Sequence, residues 1–303
     1  MSKKKNKPST KRREQSLEGG NRPRQQAPRR ENRESNDRQA PVEMREMREM
    51  REMRYDTNSR PVALTARNSY FLFGRNSVTA ALANPVRECV QLIGTEKSLA
   101  DFAIPDRRSK LKIETHAHTG HIAASVPEGA PHQGILLEVR RLPAIGVHDF
   151  KPIPDRKNII LMLDQVTDPH NVGACMRSAA ALGARAFITQ DRNSPDEGGV
   201  LARSAAGALE ILPWLQVANL AQTLETLRDF GYWSVGLDGN TEQSIRTLKL
   251  GDNIVIVMGS EGKGLRPLVR KNCDVIAKIP MQGAVESLNV SNAAAIALYE
   301  LAE

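Results

Sequence analysis

The alternation of apolar and polar positions divides the chain into three regimes. Residues 1–60 hold almost no Ile, Val, Phe or Trp. Such a stretch cannot bury enough apolar surface to offset the entropy of ordering it, so disorder is expected there. Within it, residues 43–54 repeat Glu-Met-Arg four times. A helix would pair Arg45 with Glu49 in the weaker i,i+4 order and set like charges three apart. The segment therefore reads as low complexity, helical only transiently.

Order is expected from residue 68. Phe71, Leu72, Phe73, Gly74 and Arg75 read as the entry to a helix that runs to Asn84. Residues 90–94, Val126 and residues 135–140 add short strands, making residues 68–145 a small α/β unit of a size that folds alone. Residues 146–157 carry Pro152 and Pro154 with few core candidates and read as a linker. From residue 158 the rhythm changes. Apolar runs of strand length lie at 158–163, 186–189, 234–237, 254–258 and 275–279. Helical patterns lie at 173–182, 199–206, 220–230, 265–271 and 287–301. Alternating strand and helix over 158–303 implies a mostly parallel sheet covered on both faces. Ligands gather at the carboxyl ends of such strands. The unusual sequence sits there, after Asp164, Gly259 and Pro280.

Composition changes this picture little, and charge changes it more. Hydrophobic residues make up 40% of the chain and aromatic ones 4%, so the cores are aliphatic. Residues 1–60 carry 18 of the 43 Lys and Arg and 10 of the 35 Asp and Glu, which leaves 25 of each sign in the remainder. The whole excess of +8 belongs to the tail. A tail of that kind either touches an anionic partner, RNA foremost, or solubilises the chain. Cys89, Cys175 and Cys273 show neither metal spacing nor a disulfide framework. No apolar run approaches membrane-spanning length and no signal-peptide pattern opens the sequence, so a cytoplasmic protein without membrane contact is expected. His116, His118 and His121 lie in no clear register and lack a neighbouring acid or cysteine, so they read as a solvated loop.

Three segments carry candidate chemistry. In the first, Asn171 suits a helix cap, Gly173 permits close backbone approach, and Arg177 follows as a possible phosphate or carboxylate fork. The second, Gly259, Ser260, Glu261, Gly262, Lys263, Gly264, is a glycine-rich loop after an apolar strand. It lacks the Gly-Lys-Ser/Thr ending of a P-loop and the spacing of a dinucleotide fingerprint. The third runs from Ile279, Pro280 and Met281 through Gly283 to Ser287, Leu288, Asn289, Val290, Ser291 and Asn292, where Ser287 or Asn289 suits a helix cap. Each segment alone reads equally as a cap or an ordinary loop.

Together, and in this order, the three segments resemble the TrmH (SpoU) family of RNA ribose 2′-O-methyltransferases in the SPOUT superfamily. The resemblance covers residues 158–303. Residues 70–145, opening on Phe73, Gly74, Arg75, Asn76, Ser77 and Val78, resemble the ribosomal-protein-like substrate-binding domain of members that methylate guanosine in 23S rRNA, those of the RlmB kind. The resemblance implies a SPOUT-type parallel sheet with a C-terminal trefoil knot, preceded by the small domain and the tail. It implies S-adenosylmethionine as cofactor, with Gly259, Ile279, Met281 and Leu288 at the cofactor. It implies Arg177, Asn171, Glu261, Ser287 and Asn289 as catalytic residues, and a homodimer formed through the C-terminal domain. A guanidinium with a pKa above about 12 is a poor base, so Arg177 is expected to clamp the phosphate beside the target ribose. Asn171 and Asn289 would position the ribose or Arg177. Glu261 would orient Arg177 or accept a proton, and Ser287 would hold the loop. Because side chains cannot read the closed major groove of A-form RNA, the expected target is a loop nucleotide of rRNA. A tRNA target within the same family and a non-catalytic ribosome assembly factor are the alternatives. A conventional Rossmann methyltransferase would need a glycine-rich turn after its first strand, where Asp164, Gln165, Val166 and Thr167 stand.

Overall fold

The computed structural model describes residues 62–100, 102–284 and 287–302; the tail over residues 1–61 lies outside the described residues. The first unit consists of β1 (Ser69–Phe73), α1 (Arg75–Ala83), β2 (Cys89–Thr95), α2 (Glu96–Ala100), β3 (Lys112–His116), α3 (Gly120–Ala124) and β4 (Ile135–Arg140). Its sheet has the order β1-β4-β2-β3, antiparallel except for the β2–β3 pair. Residues 71–73 thus belong to a strand, and the helix begins only after Gly74. Val126 packs partly buried against the core and forms no strand. β3 carries no apolar signature in the sequence, because Lys-Ile-Glu-Thr-His at a sheet edge buries no continuous apolar face. Residues 62–67, assigned by sequence to the tail, are tied to this unit. The Val62 N–H donates to Ser125 Oγ, and Thr65, Ala66 and Ser69 converge on the buried Glu138 carboxylate at 2.5–2.8 Å.

The second unit consists of β5 (Asn158–Asp164), α4 (Pro169–Ala181), β6 (Ala186–Gln190), α5 (Gly199–Ala205), β7 (Trp214–Val217), α6 (Leu220–Asp229), β8 (Trp233–Leu237), β9 (Asn253–Gly259), α7 (Pro267–Asn272), β10 (Val275–Ala277) and α8 (Val290–Ala302). The six strands form a wholly parallel sheet in the order β10-β8-β9-β5-β6-β7. Period-two alternation settles which face each side chain serves. Ile159, Leu161, Leu163, Ile254, Ile256 and Met258 pack with Val172, Met176, Ala294 and Leu298 of α4 and α8. Ile160, Met162, Val255 and Val257 pack on the opposite face with Leu220, Leu224 and Leu227 of α6 and Val269 of α7. Burial on both faces explains why β5 and β9 read as unbroken apolar runs. Edge strand β7, with a single fully buried residue, carries no such run and is not predicted by the pattern. The expected linker is docked as well. Phe150 is buried, and its carbonyl accepts from the Tyr232 hydroxyl at 3.0 Å.

One buried ionic network joins the two units. Arg87 in the small unit is fully buried. Its guanidinium meets Glu197 at 2.5 Å and Glu210 at 2.6 Å, and donates to the Arg140 carbonyl at 2.7 Å. Tyr70 donates to Glu197 and Asn84 to Glu210. Burial alone would lower the Arg87 pKa, but the hydrogen bond to Glu210 and the nearby negative charges outweigh it and raise it. The guanidinium therefore stays charged. Burial also drives the Tyr70 hydroxyl far above its ordinary range, so it remains a donor.

Candidate functional site

Parallel pairing of β5 with β9 runs in register from Asn158↔Asn253 to Asp164↔Gly259, so the two strands end side by side. The loops that follow them meet the start of α8. Asp168 caps α4 by accepting from the His170 N–H at 3.0 Å, and Pro169, which has no N–H to satisfy, takes the first helical position. The cap expected at Asn171 is therefore at Asp168. This leaves the Asn171 side chain free of capping in the first turn. Asn289 is the cap of α8: its Oδ1 accepts from the Ser291 N–H at 2.9 Å. α8 accordingly starts at Val290, three residues later than expected.

These features bring three distant segments onto one carboxylate. Asn289 Nδ2 donates to Asn171 Oδ1 and to Glu261 Oε1, each at 3.0 Å. Glu261 Oε1 also accepts from the Val290 N–H at 3.1 Å and from Asn171 Nδ2 at 3.4 Å. A carboxylate at the positive end of the α8 dipole is electrostatically favoured. Glu261 Oε2 has no hydrogen bond among the described residues. Glu261 and Asn289 are exposed and Asn171 is half-buried, so the cluster is open to a ligand.

Arg177 stands apart. It is the ninth residue of α4, about 12 Å along the helix from its start, and not in the first turn or two. It is exposed and has no hydrogen bond or ion pair among the described residues. Glu261, occupied as described, does not orient it, and neither asparagine bonds to it. Ser287 is exposed and outside the network.

The glycine loop owes its shape to internal packing. A Cβ on Gly259 would fall on the backbone of Gly264 and Leu265. The Gly264 N–H closes the turn onto the Ser260 carbonyl at 2.9 Å. Beyond it, the fully buried Asp164 accepts from the Arg266 N–H at 2.9 Å and from Arg266 Nε at 2.7 Å. The glycine at 259 is thus required by the loop's own backbone, whatever ligand lies outside. Asp164 and Arg266 do not stand out as a pair in the sequence. The available signal is an acid ending a strand that is otherwise almost wholly apolar. Ile279 packs partly buried on the core, whereas Met281 and Leu288 remain 41% and 37% exposed.

Gly173 makes a different close approach. A Cβ there would lie 2.5 Å from the Leu201 carbonyl and 2.7 Å from Ser204 Cβ, so α4 and α5 touch backbone to backbone. Cys175, on the buried face of α4, is no nucleophile: burial first, and the Glu261 charge second, push its thiol up to about 12. Away from this site, His116 ends β3 and has an acidic partner, Glu114, at 2.9 Å, and His121 lies in α3, so the solvated-loop expectation fails for these two, whereas His118 is exposed outside any helix or strand.

The chain is similar to known proteins along most of its length. A model of the SpoU rRNA methylase family matches residues 158–299, and a model for RNA 2′-O ribose methyltransferase substrate binding matches residues 71–144. A 23S rRNA (guanosine-2′-O-)-methyltransferase RlmB from Photobacterium profundum is 38% identical over 234 residues, 76% of this chain and 95% of that protein. Its counterpart from Vibrio cholerae is 42% identical over 233 residues, 76% and 94% of the two chains. A solved TrmH-family structure from Porphyromonas gingivalis superposes with a TM-score of 0.63 at 26% identity, covering 86% of this chain and 98% of its own. The SpoU methyltransferase AviRb from Streptomyces viridochromogenes, solved in complex with AdoMet, shares the fold at a TM-score of 0.65 and 23% identity, covering 79% and 93%.

Proposed function

The chain belongs to the SpoU rRNA methylase family, and from that premise we propose that it transfers a methyl group from S-adenosylmethionine to the ribose 2′-hydroxyl of a guanosine in 23S rRNA. The single observation that carries the reading is the meeting of Asn171, Glu261 and Asn289 at the ends of adjacent strands. The residues present fit the cofactor. Exposed Met281 and Leu288, with partly buried Ile279, offer apolar surface and the 259–264 loop offers backbone polar groups of the kind an adenine moiety uses. When bound, the cofactor supplies a methyl activated by the positive charge on sulfur.

The protein then has two tasks, aligning the hydroxyl and removing its proton. Asn171 and Asn289 hold the ribose, each already half of a mutual hydrogen bond. Glu261 takes the proton on Oε2, the oxygen its internal hydrogen bonds leave open. Arg177, exposed and without an internal partner among the described residues, clamps the phosphate next to the ribose. Ser287 steadies the entry to α8 once the cofactor is in place.

Several finer features belong to the same reading. The chain between β10 and α8 is knotted in the trefoil manner of the SPOUT fold, which an experimental trace of residues 240–302 tests. Two copies pair through the C-terminal domain. The exposed Ile296 and Tyr299 on α8 support this, and light scattering at micromolar concentration tests it. The protein acts in the cytoplasm, where the basic segment over residues 1–60 adds sequence-independent, salt-dependent affinity for rRNA. Deletion of residues 1–60 should reduce the salt slope of RNA binding, and an unchanged slope would remove that role. For the central reaction, purified protein with labelled cofactor should methylate 23S rRNA and leave tRNA unlabelled. Arg177→Lys keeps the charge but loses the fork. It should slow single turnover at least about tenfold, and a near-normal rate would sink the clamp.

A further inference from the structure

We propose that Arg203, on α5 at the seam between the two units, is a docking point for a phosphate of the RNA strand that passes from the small domain to the catalytic loops. The proposal rests on the RNA methyltransferase reading. Other arginines along the seam are neutralised: Arg87 by Glu197 and Glu210, Arg140 by Glu88, and Arg141 by Asp196. Arg203 has no hydrogen bond or ion pair among the described residues, and its Nε is buried without a partner. Its two Nη atoms are not among the buried ones and so reach the surface.

Packing holds the side chain where a counter-charge does not. Gly74 of the small unit, at φ +82°, lies directly over it, and a Cβ there would sit 2.8 Å from both Cδ and Nε of Arg203. The neighbouring Gly199 packs as closely on Phe73, with Cε1 2.7 Å from its Cβ position. The stem is therefore fixed under the turn that joins β1 to α1, with the charged end presented outward. A fixed and unneutralised arginine fork suits a phosphodiester, which it can bind through two parallel hydrogen bonds. Its location fits that use. Ser204, the next residue, hydrogen-bonds His170 at 3.1 Å, and His170 precedes Asn171 of the catalytic cluster. A strand bound by the small domain and by the catalytic loops crosses this point.

Arg203→Met keeps an unbranched stem beneath Gly74 and removes only the charge. The variant should raise the KM for 23S rRNA about tenfold and leave kcat and cofactor affinity within about twofold. It should also reduce the slope of log binding constant against log salt by about 0.7–0.9, the contribution of one phosphate. Arg203→Lys should keep the slope while still raising KM. An unchanged slope and KM in the Met variant, with cofactor affinity intact, would overturn the proposal. If the Met variant does not fold, an unchanged KM in the Lys variant overturns it instead. The slope is a binding measurement, so if the wild-type protein binds rRNA but transfers no methyl, the catalytic reading fails separately from this one.

Discussion

Replacing Arg87 with Met removes the one cation that two buried carboxylates share. Glu197 and Glu210 side chains are 8% and 2% exposed, and Arg87 is at 0%. Breaking a buried ion pair from one side costs about 3–5 kcal/mol, because the remaining charge is left uncompensated. Urea unfolding of wild type and variant at pH 7.5 should give a stability difference of about 4 kcal/mol. Adding Glu197→Gln and Glu210→Gln to the variant should recover most of the loss at pH 7.5. A difference below about 1 kcal/mol would show that the network is solvated and does not hold the two units together.

Three further perturbations probe other contacts. Gly173→Ala places a methyl 2.5 Å from the Leu201 carbonyl, so it should force α4 and α5 apart and lower stability by about 1–3 kcal/mol in thermal or urea unfolding; a neutral result would refute the close crossing. Asp164→Asn leaves Arg266 without its counter-charge and loosens the 259–266 loop, so cofactor affinity by calorimetry should fall about tenfold while rRNA affinity stays within about twofold. Burial alone would raise the Glu138 carboxyl, but hydrogen bonds from Ser69, Thr65 and Ala66 hold it below its ordinary 4.5. Its stabilisation is therefore present above pH 4.5 and lost as pH falls through the lower folded value. Glu138→Gln should cost about 2 kcal/mol at pH 6 and progressively less as pH falls below 4.5, and a pH-independent deficit would contradict this.

Legibility in the sequence followed burial. β5 and β9 are covered on both faces, so their apolar runs stand out and the parallel sheet can be read from them. β3 and β7 lie at sheet edges with mixed exposure, and neither periodicity nor length distinguishes them from loops. The three candidate segments are identifiable as a set, yet their contacts are not. Glu261 meets Asn289 and Val290 because α8 is capped at Asn289, the second of the two caps the sequence offers, and starts three residues beyond the periodic pattern. Arg87 and the Asp164–Arg266 pair are hidden for one reason. A charged residue in a sequence reads as surface, and only the partner, 102 residues away for Asp164 and 110 or more for Arg87, makes its burial affordable.

The central claim is methylation of a ribose in 23S rRNA, and position-by-position mapping of 2′-O-methyl groups on 23S rRNA and tRNA from cells with and without the gene tests it most directly. The expected result is loss of one guanosine 2′-O-methyl in a loop of 23S rRNA, restored by the wild-type gene and not by a copy carrying Glu261→Ala. An unchanged methylation map, or loss confined to tRNA, would contradict the claim.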